Sequence, residues 1–391
     1  MFATECKEMQ EYLVSMRREL HQIPELGKDL PQTQAYVTKK LDEYGIEYTL
    51  NKGDSGIIAY INKGKEGKCV ALRADMDALP IKEETGVEYA STNGCMHACG
   101  HDTHTTMLLG AAKVLQAHKD ELKGEVRFIF QTAEELAKGS QVMLDNGAME
   151  GVDAVFGTHI GCIISKDIPS GTVIVTPGPV MASYDRFVIK VKGTGCHGST
   201  PEKGVDPINI AAHIVVALQT INAREIAGNL PNVITIGKIH GGSQYNIIPG
   251  EVEIEGTTRA LSEEVRQKLS KRIEEISSGI AAAFGGEVEY EMDWGAPAVI
   301  NNDEMAAFAA ECAKEVAGEN MVITRVESPN MGGEDFACYL NEVPGAFMFL
   351  SSADHELGTD IAHHNSKFNV DEKVFWEGSA VFVNIAEKFL K

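Results

Sequence analysis

The stretch CVALRADMD, residues 69–77, and the stretch CGHDTH, residues 99–104, decide the fold of this chain. The first is a short apolar run ending in two aspartates, which is typical of a buried strand that leads into a polar loop. The second places a thiol, a carboxylate and two imidazoles just before a helical pattern over about residues 103–118. Thiolate and imidazole are the usual ligands of zinc, and carboxylates extend the choice to manganese, cobalt or nickel. The sequence therefore predicts a strand, a metal-binding loop and a helix in this order.

Two later strand candidates are also followed by side chains that can bind metal. Residues 125–131 run into Glu134 and Glu135, and residues 152–157 run into His159. Helical and strand patterns alternate up to about residue 183, which predicts an α/β fold with a mostly parallel sheet covered by helices. Ligands of such sheets bind beyond the carboxyl ends of the strands, so we expect these side chains to converge on one edge.

The pattern changes from Tyr184 onward. Strands are predicted at 186–192, 233–240, 251–259 and 287–294, and helices at 206–226 and 262–284. This βαββαβ order is that of a ferredoxin-like α+β domain. After Gly295 the alternation returns, with a strand at 346–350 and a helix at 374–390. We therefore predict a first domain made of residues 1–183 and 296–391, and a second domain, residues 184–295, inserted into it.

Length and composition argue against several classes of protein. A chain of 391 residues is long enough to form two domains. Its net charge of -22, without any basic run, argues against binding to nucleic acid. The polar amino terminus lacks the apolar stretch of a signal peptide, and no apolar run is long enough to span a membrane. Eight scattered cysteines fit a reducing compartment. We therefore expect a soluble cytoplasmic protein that does not bind membranes.

The metal-ligand candidates have structural alternatives. Cys99 and His101 are interpreted as metal ligands more readily than as packed core residues, whereas His104 is interpreted as a core residue. Asp102 has a simpler role available as the cap of the following helix. A purely structural zinc site usually draws its ligands from paired short spacings, and the chain has no CxxC pair. The cluster therefore favours a catalytic over a structural metal site.

Glu134 and Glu135 are adjacent at a strand end, so their side chains should diverge if the segment stays extended. One could then bind metal while the other serves as general base for water. The alternative is a solvated helix start, where acidic residues are favoured. His159, His363 and His364 are each ambiguous alone. Together with Cys99, His101 and Glu135, however, His159 and one of the last two provide enough ligands for two ions.

Ordered motifs then extend over almost the whole chain. They are RRELHQIPEL (17–26), LRADMDALP (72–80), MHACGHD (96–102), QTAEE (131–135), GTH (157–159), residues 197–207, GEDF (333–336) and residues 364–372. Through them the chain resembles the aminoacylase and carboxypeptidase family of dinuclear metallohydrolases. Within that family it is most similar to the branch of hippurate hydrolases, auxin-conjugate amidohydrolases and N-acetyl-diaminopimelate deacetylases.

The resemblance implies a role for each candidate. It implies two divalent ions per subunit, Zn²⁺ or Mn²⁺ with Ni²⁺ or Co²⁺ as further options, and Glu134 as general base. The implied ligands are Cys99, His101, Glu135, His159 and His364. His364 is preferred to His363 because it stands four residues before Phe368, although Asn365-Ser366 replaces the usual proline-containing turn. Asp77 would hold a ligand histidine in its metal-binding tautomer.

Three further residues lie in the inserted domain. Taken alone, His197 is compatible with a turn, Asn246 with a loop cap and Arg259 with a surface charge. The resemblance implies instead that the domain acts as a lid and dimerisation domain of a homodimer or larger homo-oligomer. His197 would stabilise an oxyanion, and Asn246 with Arg259 would bind the substrate carboxylate, for which a planar guanidinium is suited. In the family, His197 and Asn246 usually reach the site from a partner subunit.

The expected function is an amidohydrolase that cleaves the amide bond of N-acyl amino acids or related conjugates through a metal-activated water. The alternative enzymatic activity is that of a dipeptidase or carboxypeptidase with the same dinuclear site. A metal-dependent binding module without catalysis is the non-enzymatic alternative, and the presence of Glu134 weighs against that alternative.

Overall fold

The computed structural model describes residues 2–391, which divide into two compact units. The first unit comprises the residues up to Val180 together with Ile300–Asn330 and Asp335–Lys391. The second comprises Met181–Val299 and Met331–Glu334. The lid and dimerisation roles expected for the inserted segment remain predictions.

The elements follow one another along the chain in a mixed α/β order. In this order they are α1 (Glu5–Glu8), α2 (Gln10–His21), α3 (Pro31–Tyr44), β1 (Glu47–Leu50), β2 (Ile57–Ile61), β3 (Cys69–Asp75), α4 (His101–Ala117), β4 (Glu125–Gln131), α5 (Gly139–Asp145), β5 (Ala154–Gly161), β6 (Val173–Ile174), β7 (Gly178–Met181), β8 (Asp185–Lys192), β9 (Cys196–His197), α6 (Pro207–Thr220), β10 (Asn232–Gly241), β11 (Ile247–Ile248), β12 (Glu251–Ala260), α7 (Glu263–Ala283), β13 (Glu287–Asp293), β14 (Val299–Asn301), α8 (Asp303–Ala317), β15 (Val322–Ile323), α9 (Ala337–Glu342), β16 (Gly345–Ser351) and α10 (Phe375–Phe389).

The first unit is built on an eight-stranded sheet with the order β1-β2-β4-β3-β5-β16-β6-β15. Its centre is parallel, because β4, β3, β5 and β16 pair side by side in the same direction. Antiparallel pairs join β1 to β2, β2 to β4 and β6 to β16. The central strands are buried along their whole length, as expected of parallel strands covered on both faces. The predicted mostly parallel sheet is thus confirmed.

Helix α4 shows how local sequence positions the site residues of this sheet. It begins at His101, directly after Gly100, whose φ of 92° is left-handed. A side chain at Gly100 would also approach the Ile160 methyl group to 2.7 Å, so only glycine fits. From there α4 runs buried against α2 and α10. The glycine therefore lets the chain turn from the loop at Cys99 directly into a buried helix.

Strand β5 differs from its prediction. Its strand pattern was expected to end at residue 157, yet the strand continues to Gly161, so His159 lies inside the strand instead of following it. The reason is tertiary: β16 pairs with β5 through this segment, with Phe349 opposite His159. Backbone pairing with a neighbour thus extends the strand past the point where its apolar pattern stops.

The second unit contains the four-stranded antiparallel sheet β10-β12-β8-β13. Helices α6 and α7 pack on it over a separate apolar core that includes Phe187, Ile189 and Ile254. Asp206 caps α6 and Ser262 caps α7 through their side-chain oxygens. This is the predicted βαββαβ arrangement, although the helix predicted to 226 ends at Thr220 and continues as one π-helical turn.

Among the helices of residues 2–391, none combines the length and the apolar character that crossing a lipid bilayer would require.

Candidate active site

The five ligand candidates come from separate segments of the first unit and meet in space. Of the five groups of potential ligand atoms that lie within 4.8 Å of one another, three consist of these residues and Glu134. They are Cys99 with His101 and His159, Cys99 with Glu135 and His364, and His101 with Glu134 and Glu135. Cys99 Sγ is 3.4 Å from His159 Nε2, and His364 Nε2 is 3.4 Å from Glu135 Oε1. The structure therefore brings together all five residues that the sequence analysis proposed.

The polar atoms of this cluster fit a metal centre. Both ring nitrogens of His101 and Oε1 of Glu135 are buried without a hydrogen-bond partner. Such atoms are rare, because a buried polar group without a partner costs free energy. One thiol, imidazoles and a carboxylate form a donor set that suits zinc and its neighbours among the divalent ions. Two ions sharing these residues would satisfy the atoms that the protein leaves unpaired.

The environment of His159 favours the neutral form of its ring. Its Nδ1–H donates to the Ile160 carbonyl oxygen at 2.8 Å, which leaves Nε2 with a lone pair facing Cys99. Burial, with the nearby His104 and His363, holds the pKa of His159 well below its ordinary value. A histidine must be neutral to bind metal, so this environment selects the binding form.

His101 lies among carboxylates. Burial disfavours its charged form, but Asp75, Asp77 and Glu135 outweigh that effect and raise the pKa of His101 to about 10. Its Nδ1 is 3.5 Å from Asp77 Oδ1, and its Nε2 is 3.9 Å from Glu135 Oε1. Positive charge is thus strongly favoured at this position, and a bound cation would replace the ring proton.

Asp77 connects this histidine to the two glutamates. Its carboxylate accepts the backbone N–H of Glu134 at 3.0 Å and that of Glu135 at 3.2 Å. The role expected for Asp77, orienting a ligand histidine, remains a prediction. The contacts show that the same side chain also holds the turn that carries both glutamates.

The turn after β4 is a 3₁₀ turn, Glu134–Leu136, so the segment does not stay extended and is closer to the helix start considered as the alternative. Ala133 and Ala137 flank it with φ of 52° and 49°, a left-handed conformation that is unfavourable for alanine. The two carboxylates nevertheless have different partners. Glu134 Oε1 accepts the backbone N–H of Asp335 at 3.4 Å, whereas Glu135 Oε1 faces His101 and His364.

The two consecutive histidines near the carboxyl terminus have different environments. His363 Nε2–H donates to the Ile160 carbonyl oxygen at 3.0 Å and its ring packs against Phe368, with 4.7 Å between ring centroids. Burial lowers the pKa of His363 to about 4. His364 adopts φ of 62°, donates its backbone N–H to Ala98, and directs Nε2 towards Glu135. The geometry thus favours His364 as the ligand.

His104 is a packed residue, as expected. Its Nδ1–H donates to Asp75 at 2.6 Å, and its Nε2 accepts the backbone N–H of Ile160 at 2.9 Å, so both ring nitrogens are occupied. Asp102 stands one residue inside α4 and not at its cap position, but its Oδ1 accepts the backbone N–H of Thr103 in the first turn at 2.8 Å. Gly100 is the cap residue of α4, and the buried Asp102 carboxylate pairs with Arg17 at 2.9 Å and His21 at 2.6 Å.

The second unit places His197 and Asn246 side by side. β9 pairs with β11 so that His197 lies opposite Ile247, and Gly198 N–H donates to the Asn246 carbonyl oxygen at 2.8 Å. His197 is exposed, and its Nδ1 accepts the backbone N–H of Ser199 at 3.2 Å. That bond assigns the ring proton to Nε2, which makes Nε2 a hydrogen-bond donor.

Arg259, near the end of β12, is half-buried over the ring of Tyr184, with its guanidinium carbon 5.3 Å from the ring centroid. It donates to the Thr257 hydroxyl and to the Thr258 carbonyl oxygen. Burial lowers the pKa of Arg259, but a guanidinium stays charged at neutral pH. Arg259 is therefore a held cation and not a freely moving surface charge.

Sequence reasoning missed one buried polar group. Arg73, Gln131 and Asp335 are each at most 1% exposed and are bonded to one another. The signal that could have found them is a charged residue inside each of two buried motifs, RAD at 73–75 and GED at 333–335. A charge in a buried strand must have a partner, although the sequence does not say which one.

Comparison with known proteins extends this description. The family model described as peptidase family M20/M25/M40 matches residues 71–388. The chain is 40% identical over 385 residues to the N-acetyl-L-cysteine deacetylase of Bacillus subtilis, covering 98% of this chain and 89% of that protein. It is 39% identical over 391 residues to thermostable carboxypeptidase 1 of Saccharolobus solfataricus, covering 98% and 97%. It is 37% identical over 393 residues to the hippurate hydrolase of Campylobacter jejuni, covering 99% of each.

A solved structure has the same fold. The YXEP protein of Bacillus subtilis, described as a dinuclear metal binding peptidase from the M20 family, superimposes with a TM-score of 0.83 at 35% identity. The match covers 98% of this chain and 99% of that one.

Proposed function

The chain belongs to peptidase family M20/M25/M40, which confirms the resemblance expected from its motifs, and on that basis we propose that it hydrolyses the amide bond of N-acyl amino acids or related conjugates. One observation carries the proposal: Cys99, His101, Glu135, His159 and His364 surround unpaired buried atoms beside a further carboxylate, Glu134. Relatives named as a deacetylase of N-acetyl-L-cysteine and as a hippurate hydrolase support the substrate class.

We assign the five clustered residues as ligands of two divalent ions, with Zn²⁺ or Mn²⁺ preferred and Ni²⁺ or Co²⁺ compatible with the same donors. Such ions, when bound, make water more acidic and polarise a carbonyl group. The protein's own contribution is to bring these donors together, to favour the neutral form of His159 by lowering its pKa, and to leave buried atoms of His101 and Glu135 without a hydrogen-bond partner among the described residues.

Glu134 is assigned as the general base. Its Oε1 accepts a backbone N–H, whereas Glu135 Oε1 faces the rings of His101 and His364. It would take a proton from the attacking water and deliver it to the departing amine, the two proton transfers that amide hydrolysis requires.

The residues of the second unit are assigned to the substrate. His197 would donate Nε2–H to the oxygen on which negative charge develops, since its Nδ1 already accepts a bond. Arg259 and Asn246 would bind the carboxylate of the amino acid, for which a held guanidinium is well suited.

We further propose that the protein assembles as a homodimer or larger homo-oligomer through the second unit. β10 is an edge strand of the four-stranded sheet, and unpaired edges are sites of strand addition. Ile239 on β10 and Val216 on α6 are 52% and 73% exposed, which adds apolar surface there. Sedimentation analysis at micromolar concentration tests this, and a monomer throughout would contradict it.

A reducing cytoplasm is the proposed location. Among residues 2–391, which include all eight cysteines, no two cysteines form a disulfide bond. Free thiols persist in reducing compartments and tend to be oxidised outside them.

The function is tested with metal-reconstituted protein against N-acetyl, N-benzoyl and longer N-acyl amino acids beside dipeptides, with detection of the released amine. We expect turnover of N-acyl amino acids. Parallel assays with zinc, manganese, cobalt and nickel identify the ion that supports the highest rate. Absence of turnover across the panel, with two ions bound, would contradict the proposal and favour a binding module without catalysis.

A carboxypeptidase activity is the second candidate, because a relative at 39% identity carries that name. Both activities require a free carboxylate beside an amide bond. A higher kcat/KM for dipeptides than for any N-acyl amino acid would favour this candidate.

A further inference from the structure

We propose that Asp335 is a positioning residue that holds the carboxylate of Glu134 in place for proton transfer. This inference rests on the proposed function, because it assigns Glu134 as the base. The two residues are joined by the backbone N–H of Asp335, which donates to Glu134 Oε1 at 3.4 Å. Catalytic hydrogen bonds are often long before substrate is bound, so what matters is how firmly the donor is held.

The Asp335 side chain is held by donors on three sides. Oδ1 accepts from Arg73 at 3.0 Å and from the Gln131 amide at 2.7 Å. Oδ2 accepts from the same amide at 2.9 Å and from the backbone N–H of Ser140 at 3.0 Å. Asp335 is fully buried. A buried carboxylate with this many donors has one stable orientation, and its own backbone N–H is fixed with it.

The donors are themselves held by the central strands. Arg73, on β3, also donates to the Asp75 carboxylate at 2.7 Å and to Oε1 of the Gln131 side chain at 2.9 Å. Tyr339 donates its hydroxyl to the same Gln131 oxygen at 2.8 Å. Every polar atom of the Gln131 side chain is therefore used, and the amide cannot flip without losing bonds. The position of Asp335 is thus set by two strands in the middle of the sheet.

The turn of Glu134 needs this support. Left-handed alanines at both ends make it a strained segment, and strained segments persist only where surrounding contacts determine them. Asp77 holds the turn from its backbone side by accepting the N–H groups of Glu134 and Glu135. Asp335 holds it from the side-chain side. Asp77 thus fixes the backbone position of Glu134, and Asp335 fixes the orientation of the Glu134 carboxylate.

The test is Asp335→Asn, with Glu125→Gln as matched control. Both changes convert a buried carboxylate that pairs with a buried arginine into an amide of the same shape, because Glu125 accepts from Arg127 at 2.7 and 3.0 Å. Every partner of the Asp335 carboxylate is a donor, so the new NH₂ group would face donors and turn away. We expect kcat to fall on the order of 10²-fold in Asp335→Asn, with KM within about twofold and two ions still bound. Glu125→Gln should lower the melting temperature without changing kcat.

A double variant separates positioning from general loss of structure. In the Glu134→Gln background, Asp335→Asn should cause no further loss of kcat, because it acts through a base that is already absent. Wild-type kcat in folded, metal-loaded Asp335→Asn would overturn the inference, as would an equal loss of kcat in Glu125→Gln.

A crystal structure of Asp335→Asn tests the inference without turnover. A displaced Glu134 carboxylate in an otherwise unchanged metal cluster supports it, and a carboxylate that superimposes on the wild type overturns it. If the variant does not fold, Tyr339→Phe loosens Gln131 more gently and should reduce kcat less while moving the same carboxylate. If the wild type cleaves no substrate, the proposed function is overturned but the role of Asp335 is not. That role is then decided by comparing the Glu134 carboxylate in the wild-type and Asp335→Asn structures.

Discussion

The two ends of strands β3 and β4 carry similar side chains that are used in different ways. At the amino end, Glu125 accepts from Arg127 and from the backbone N–H of Gly64. Arg127 also donates to the carbonyl oxygens of residues 147, 148 and 150. No side-chain nitrogen or oxygen of these two residues is left buried without a partner in the described structure.

At the carboxyl end, charged residues are equally buried but their bonding is incomplete. Arg73, Asp75 and Asp335 are paired, whereas His101 and Glu135 keep buried atoms without a hydrogen-bond partner. Burying such atoms costs stability, and a fold that keeps them does so where a ligand or reaction uses them. Complete pairing at one end and incomplete pairing at the other thus distinguish a structural charge cluster from a functional one. The following predictions test that distinction, from the largest expected effect on turnover to the smallest.

Glu134→Gln should cause the largest loss. The amide cannot accept a proton from water, so we expect kcat to fall by about 10²–10⁴-fold, the usual contribution of a general base. Metal content, measured by elemental analysis, should stay at the wild-type value because Glu135 and not Glu134 is the proposed ligand. Unchanged turnover would show that Glu134 is not the base.

Asp77→Asn should have an intermediate effect. The amide can accept only one of the two backbone N–H groups of Glu134 and Glu135. It is also uncharged, so it is a weaker hydrogen-bond partner for His101 than the carboxylate. We expect a loss of about 10–100-fold in metal affinity, measured by competition with a chelator.

Asp153→Asn is the matched control for this prediction, since Asp153 accepts the backbone N–H of Cys69 at the amino end of β3 at 2.7 Å. Its metal affinity should equal that of the wild type. An equal loss in both variants would mean that the two strand ends do not differ as described.

Arg127→Lys should affect stability and leave turnover unchanged. An ammonium cannot reproduce both the paired bonds to Glu125 and the bonds to three carbonyl oxygens. We expect the free energy of unfolding, measured with denaturant, to fall by about 1.5–3 kcal/mol. The kcat of the remaining folded protein should match the wild type, and a tenfold loss would contradict a purely structural role for this end of the sheet.

Glu377→Gln tests an unpaired buried atom outside the cluster. Glu377 Oε2 has no hydrogen-bond partner, and burial together with Asp371 raises the pKa of Glu377 from 4.5 to about 7. Because the folded state binds this proton more tightly than the unfolded state, stability should fall as pH rises from about 4.5 to about 7.

The amide removes that loss, so at pH 8 Glu377→Gln should be more stable by about 1–2 kcal/mol after allowance for solvent screening, with unchanged kcat. Thermal unfolding of both proteins between pH 4.5 and 8 measures the effect. A stability difference that does not depend on pH would contradict the assigned cause.

Much of the fold followed from the pattern of apolar residues. Strand 125–131 was predicted with the bounds that the structure has, because it is a buried run followed by polar residues. Strand β5 was predicted too short, since its last residues are strand only through pairing with β16. The sequence left open whether the segment at Glu134 is extended or helical, because two alanines with left-handed backbone carry no signal in the sequence.

The sequence by itself determined the two architectures and the set of candidate ligands, because periodicity and residue chemistry are local properties of the chain. Only the tertiary structure shows how the surroundings of His363 and His364 differ, since one ring meets Ile160 and the other meets Glu135. Likewise, only the tertiary structure revealed the bonds from Arg73 and Gln131 to Asp335, which is 262 residues from Arg73 along the chain. Side chains so far apart in sequence are brought together by folding, and their hydrogen bonds depend on distances that no local pattern records.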